Sequence, residues 1–361
     1  MALIARTDEQ RKIATDKLNS YIASARDRSG PALARIMGEV PQDQIVRASA
    51  LAFTPDYDGH TVRYAVGGVE RAIHNNALGQ MADKTGIPMA YIRHLQDTGE
   101  SWAMNLLART MGDHFAAMPA ATRLLTRSVH GETRAVLSDK FRRIDCRPGL
   151  DALVKVATER KAIIGDAVAT DTRVSVRLIL PTVHEIAPGE FVVVGLSWDN
   201  SDYGRGAQTL RLFVLRLFCW NGATLETALR SVHLGARLAD DVSYSERTYT
   251  LDAAATVSAI RDTATALLGD DKVRDTTRLL GAAAAEKIDP KTKIEALRKK
   301  IGKGLADKVS EAYNRPDVED LPAGNTAWRW SNALSWVAGH SDDAETRIDL
   351  ERLAGDALKV A

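Results

Sequence analysis

"TRVSVRLILP", residues 172–181, alternates in character. Val174, Val176, Leu178 and Leu180 share one face of an extended chain, and Arg173, Ser175 and Arg177 share the other until Ile179 breaks the pattern. Working outward, "EFVVVGLSWDN" (190–200) is a second strand and "SDYGRG" (201–206) supplies turn chemistry. "LRLFVLRLFCWNG" (210–222) is a third apolar run, interrupted by Arg211 and Arg216. These stretches predict an antiparallel β-meander of about four to six strands with one core face and one partly cationic face. A guanidinium is not left unpaired in a core. Arg211 and Arg216 point to opposite faces of a regular strand. The expectation is therefore that one pairs inside the fold, with Glu226, Asp199 or Asp202, while the other joins the cationic face.

On either side of this stretch the periodicity becomes helical. "DEQRKIATDKLNSYIASARD" (8–27) sets Ile13, Leu18, Tyr21 and Ile22 on one stripe, and 78–115 reads as short helices broken at Gly86 and Pro88. "HTVRYAVGG" (60–68) is a short β candidate between them. Beyond Leu251 the chain is helical and alanine-rich. There Ile294, Leu297, Ile301, Leu305 and Val309 form a stripe, weakened by Gly302 and Gly304, and "NRPDVEDLPAGN" (314–325) is a loop before the closing helices. The fold class expected is α+β, an antiparallel β-meander core flanked by helical regions. Its parts are a mainly helical region 1–112 with a short β segment, a β-rich core 113–250 and a helical region 251–361.

With 361 residues, 45% hydrophobic and 26% charged, the composition is that of an ordinary folded protein, and a net charge of +1 says nothing global about a polyanion partner. Two cysteines, Cys146 and Cys219, build no disulfide framework and lie in no zinc-ligand spacing. The amino terminus lacks a signal-peptide core, and no run approaches the ~18 apolar residues of a membrane span. The expectation is a soluble, cytoplasmic protein with no membrane partner, in the host cytoplasm if phage-encoded.

Chemistry is mostly absent. No glycine run precedes Lys and Ser or Thr as a phosphate loop requires, and "GRGAQT" (204–209) lacks the third glycine of a dinucleotide fingerprint. "DNSDYG" (199–204) lacks the calcium-loop glutamate, and there is no HExxH or GxSxG. Neither a metal nor a cofactor is expected. "NGATLETALRSVHLG" (221–235) reads as a helix with Glu226, Arg230 and His233 spaced i, i+4, i+7. With Asp139 and Arg142 these residues could form the polar pocket of a hydrolase or transferase, the alternative being a helix salt bridge with a packing histidine.

Cations gather in two places. Residues 123–147 carry six arginines and Lys140 against Glu132, Asp139 and Asp145; 291–308 holds Lys291, Lys293, Arg298, Lys299, Lys300, Lys303 and Lys308 against Glu295 and Asp307. Such clusters suit a phosphate backbone, although charge runs also coat solvated faces. The candidate phosphate contacts are Arg123, Arg127, Arg134, Lys140, Arg142, Arg143, Arg173, Arg177, Lys299, Lys300 and Lys303. Trp198 and Tyr203 are the candidates for stacking on bases.

The blocks "IPMAYIRHL" (87–95), "NLLAR" (105–109), "GETRAVLSDKFRRIDCRPGLDAL" (131–153), "LRLFCWNGATLE" (215–226), "VHLG" (232–235) and "NTAWRWSNALSWVAGH" (325–340) resemble the phage- and plasmid-like family catalogued only as a domain of unknown function (DUF932-type). The resemblance implies a protein of mobile elements with no catalytic set to carry over, and it makes Cys219 a buried small residue. Its setting points to DNA metabolism. The resulting expectation is a binding protein rather than an enzyme, taking nucleic acid, with single-stranded DNA favoured, in annealing or recombination, and forming homo-oligomers. A structural or host-interaction protein without a ligand is the third reading.

Overall fold

The computed structural model describes residues 2–217, 221–231, 233, 244–314 and 321–359. Two helices, α1 (Ala2–Ala23) and α2 (Ala25–Gly38), lead into four strands: β1 (Gln42–Arg47), β2 (Ala52–Asp56), β3 (Thr61–Val66) and β4 (Val69–Ile73). Helices α3 (Asn75–Thr85), α4 (Met89–Thr98) and α5 (Ser101–Ala116) follow, then β5 (Arg123–Val129) and β6 (Glu132–Ser138). These strands form one six-stranded sheet in the order β1-β5-β6-β4-β3-β2. Its tight turns have physical causes. Gly67 and Gly68 both take positive φ between β3 and β4, and His130 and Gly131 do so between β5 and β6, as two-residue hairpin loops require. The sheet is antiparallel except where β4 runs parallel to β6. Met81, Met104, Leu107, Met111 and Phe115 on α3 and α5 form a core with Leu124, Val136 and Tyr64 of its strands.

After α6 (Cys146–Arg160), a second six-stranded sheet contains β7 (Ile163–Ala169), β8 (Val174–Ile179), β9 (His184–Ala187), β10 (Glu190–Asn200), β11 (Gln208–Arg216) and β12 (Asn221–Ser231). The order β12-β11-β10-β8-β7, with β9 paired to β10, is the antiparallel meander that the alternating pattern predicts. Val176, Leu178, Val194, Leu196, Trp198 and Leu212 face a large core completed by helices, namely α6, α7 (Glu246–Leu267), α8 (Asp270–Ala285) and α11 (Ala327–Gly339). The opposite face is divided. Its apolar half, Ile179, Phe191, Val193 and Phe213, lies under Ala14, Leu18 and Tyr21 of α1. Its polar half lies under the acidic and basic side chains of α12 (Ala344–Asp356). Between α8 and α11 in sequence, α9 (Pro290–Ile301) and α10 (Lys303–Asn314) form a hairpin.

The α+β class with helical flanks is what the periodicity predicts. Its boundaries need correction: the first 112 residues contribute four strands rather than one short β segment. β5 and β6 pair with β1 and β4, so a boundary at 112 would cut through a sheet. None of the described helices is long and apolar enough to cross a membrane.

Candidate nucleic-acid interface

Most cations of 123–147 turn inward, while Arg123 and Arg147 stay exposed. Arg127, on β5 between β1 and β6, is 1% exposed. It donates from Nε to Asp43 Oδ1 (2.7 Å), from one terminal nitrogen to the Asp202 carbonyl (2.7 Å) and from the other to Asp145 Oδ1 (2.7 Å). This guanidinium ties β1, the end of β10 and the start of α6 together, joining the two sheets. Asp202, also buried, accepts from the Cys146 N–H (2.8 Å). Burial first, and then the neighbouring Asp145 charge, push its carboxyl up to about 6 against the opposing pull of Arg127. Burial, reinforced by Asp202, also raises the Cys146 thiol well above its ordinary value, so it is not a nucleophile.

The other arginines repeat the pattern. Arg134 pairs with Glu39, and Arg142 grips Asp252 with two bonds (2.8 and 2.7 Å). Arg143 contacts Asp43 (3.2 Å) and Glu246 (3.4 Å). Arg173 meets Glu345 of α12. Arg177, 3% exposed, meets Asp166 (2.8 Å) and Glu351, and Arg347 of α12 closes the square. The expectation of a solvent-facing cationic sheet is therefore wrong for these six, because internal carboxylates neutralise them. Arg211 pairs with Asp199 (3.2 Å) and Arg216 with Glu190 (2.7 Å), so neither joins a cationic face. Arg123 remains half exposed, 4.0 Å from Asp139, and Lys140 is partly buried. Trp198 is 0% and Tyr203 6% exposed, so no base can stack on either.

The polar pocket is half assembled. Residues 221–231 form strand β12, not a helix, which removes the i, i+4, i+7 face. Arg230 and His233 do line one 510 Å³ cavity, with Phe141, Leu137, Gln80 and Lys84. His233 is stacked on Phe141 (4.9 Å, 3°), and its two ring nitrogens lie against the Arg142 carbonyl (3.0 Å) and Asn200 Oδ1 (3.1 Å). With both nitrogens directed inward, the imidazole has none left to take a proton from a substrate. The Asp139 carboxylate instead accepts from Ser138 Oγ (3.5 Å) and lies 4.0 Å from Arg123, and it does not line the cavity. The side chain of Glu226, and Phe218, Cys219 and Trp220, lie outside the described residues. No group of residues suited to a metal ion occurs among the described residues.

The lysines are arranged differently. α9 starts at Asp289, whose carboxylate caps the N–H groups of Lys291 and Thr292, and ends in Arg298, Lys299 and Lys300, where cations suit the helix dipole. Gly302, at φ 81°, is the only residue between α9 and α10. Ile294, Leu297, Ala306 and Val309 face the core, leaving Lys291, Lys293, Lys299, Lys300, Lys303 and Lys308 exposed. Arg298 pairs with Asp307 (2.7 Å), whereas Lys299, Lys300 and Lys303 have no ion-pair partner among the described residues. The Ala306 N–H returns to the Gly302 carbonyl (3.2 Å), so the N–H groups of the first turn of α10, Lys303 to Leu305, have no acceptor within the helix. Beside this hairpin the sequence reading missed Trp336 and His340 of α11, whose rings stack 4.0 Å apart. Their i, i+4 spacing was the available signal.

No family model, no curated protein and no solved structure matches the chain. The resemblance to the phage- and plasmid-like family rests on the quoted sequence blocks alone.

Proposed function

We propose that the chain is a nucleic-acid-binding protein whose phosphate contacts come from the α9–α10 hairpin rather than from the arginines of the sheets. The observation that carries this reading is the cluster Lys299, Lys300 and Lys303, exposed and without carboxylate partners among the described residues, around the open N-terminus of α10. Ammonium groups and unpaired N–H donors converge there, and Gly304 adds no side chain that would hold a phosphate away. The hairpin meets only charge, so its binding is independent of base sequence and falls steeply with salt. The family resemblance is what attaches phage- or plasmid-type DNA metabolism, annealing or recombination to this reading.

Fluorescence anisotropy with labelled single-stranded and duplex oligonucleotides tests it. The native chain binds at low ionic strength, and the triple variant Lys299→Glu, Lys300→Glu, Lys303→Glu does not. Absence of binding by the native chain, or equal binding by the triple variant, would overturn the proposal.

A further inference from the structure

One turn along α10 from Lys303, a 270 Å³ cleft opens between α10 and α11. Leu305, Ala312 and Val337 give it an apolar floor, and Lys308, Glu311, Trp336, His340 and Ser341 form its walls, so one carboxylate lies among them. The ring pair is fixed in place. The imidazole stacks on the indole at 25°, and His340 Nδ1 lies 2.8 Å from the Trp336 carbonyl. Trp328 and Trp330, on the same helix, are buried, and the Trp328 N–H has an acceptor. Trp336 is only half buried, so part of its ring is open to the cleft. An aromatic wall and a lysine therefore open onto one cleft, along the same helix as Lys303 of the cationic hairpin.

We infer that this cleft receives an unpaired nucleobase, making the chain's ligand a single strand. The inference rests on the phosphate-binding reading of the hairpin. Charge complementarity selects the occupant: a polyanion held by Lys299, Lys300 and Lys303 brings its next base past Lys308 to the Trp336–His340 stack. Every base has a π-face, so stacking there is tolerant of sequence, whereas a duplex keeps its bases stacked internally and cannot present one.

The experiment compares four probes of equal length: single-stranded DNA, the same strand with abasic sites, duplex DNA and inorganic polyphosphate. The native chain should bind the single strand about 5- to 100-fold more tightly than the abasic strand, and Trp336→Ala should remove that margin while Trp336→Phe keeps most of it. Duplex and polyphosphate affinity should be the same for all three proteins. Equal affinity of the native chain for normal and abasic strands overturns the inference even if Trp336→Ala does not fold. If both strands bind equally and the lysine triple variant binds neither, the base cleft fails and the hairpin stands. If no probe binds at all, the hairpin reading fails and takes the cleft with it.

Discussion

Arg216 and Glu190 form a two-pronged ion pair, Nε to Oε2 at 2.7 Å and a terminal nitrogen to Oε1 at 2.9 Å, and the same carboxylate accepts the Trp328 indole N–H at 3.0 Å. Arg216 is 3% exposed, so Glu190 neutralises a charge that water cannot reach. Glu190→Ala should destabilise the fold by about 3–5 kcal/mol, because it removes the carboxylate opposite a buried cation. Replacing both partners, Glu190→Ala with Arg216→Met, should cost clearly less than the single change. Urea titration of the three proteins decides it, and a double variant weaker than the single one refutes the account.

The Asp202 carboxyl gives stability a pH signature. Its folded value, about 6, lies above the ordinary 3.8. Between these values the folded chain holds a proton that the unfolded chain releases, so this group's contribution to stability falls as pH rises through that window. Asp202→Asn lacks the titration. Relative to the native chain, the variant should gain up to about 3 kcal/mol between about pH 4 and pH 7. Parallel stability profiles for the two proteins would show that Asp202 titrates normally.

Arg142 and the hairpin lysines should separate structure from binding. Arg142→Ala breaks the partly exposed pair with Asp252 and should cost about 1 kcal/mol in stability, leaving the salt dependence of oligonucleotide binding unchanged. Lys299→Ala with Lys300→Ala and Lys303→Ala should leave stability within about 0.5 kcal/mol and reduce the slope of log affinity against log salt by about 2–3. The reverse assignment, with a slope change in Arg142→Ala alone, would return the interface to the arginine-rich segment 123–147.

Gly355 carries α12 against β12. A methyl group there would meet the Thr224 carbonyl oxygen, a backbone atom that cannot rotate aside. Gly355→Ala should cost about 3 kcal/mol, the upper end of overpacking, by lifting α12 from the sheet together with its pairs to Arg173 and Arg177. An unchanged midpoint of thermal unfolding would contradict this packing.

Alternation made the second sheet legible, since Val174, Val176 and Leu178 do face one core. It could not say what covers the other face: the carboxylates opposite Arg173 and Arg177 are Glu345 and Glu351, more than 170 residues away in sequence. Arginines that neutralise distant carboxylates look, in a linear sequence, like arginines awaiting phosphate. The first sheet was less legible because β1, β2 and β4 are short and mostly half-exposed, with little alternation to detect. The lysines of α9 and α10 were readable because helical spacing alone separates Ile294 and Leu297 from the side chains around them.

The order of strands in the first sheet also governs how the chain assembles. Both margins, β1 on one side and β2–β4 on the other, precede their shared centre, the β5–β6 hairpin, in sequence. During synthesis the margins leave the ribosome with unpaired edges and wait about 50 residues, the length of α3 to α5 and their loops, for the hairpin to join them. A nascent chain halted between Ile73 and Arg123 presents open β-edges that invite pairing with its neighbours. Release past Ser138 closes the sheet.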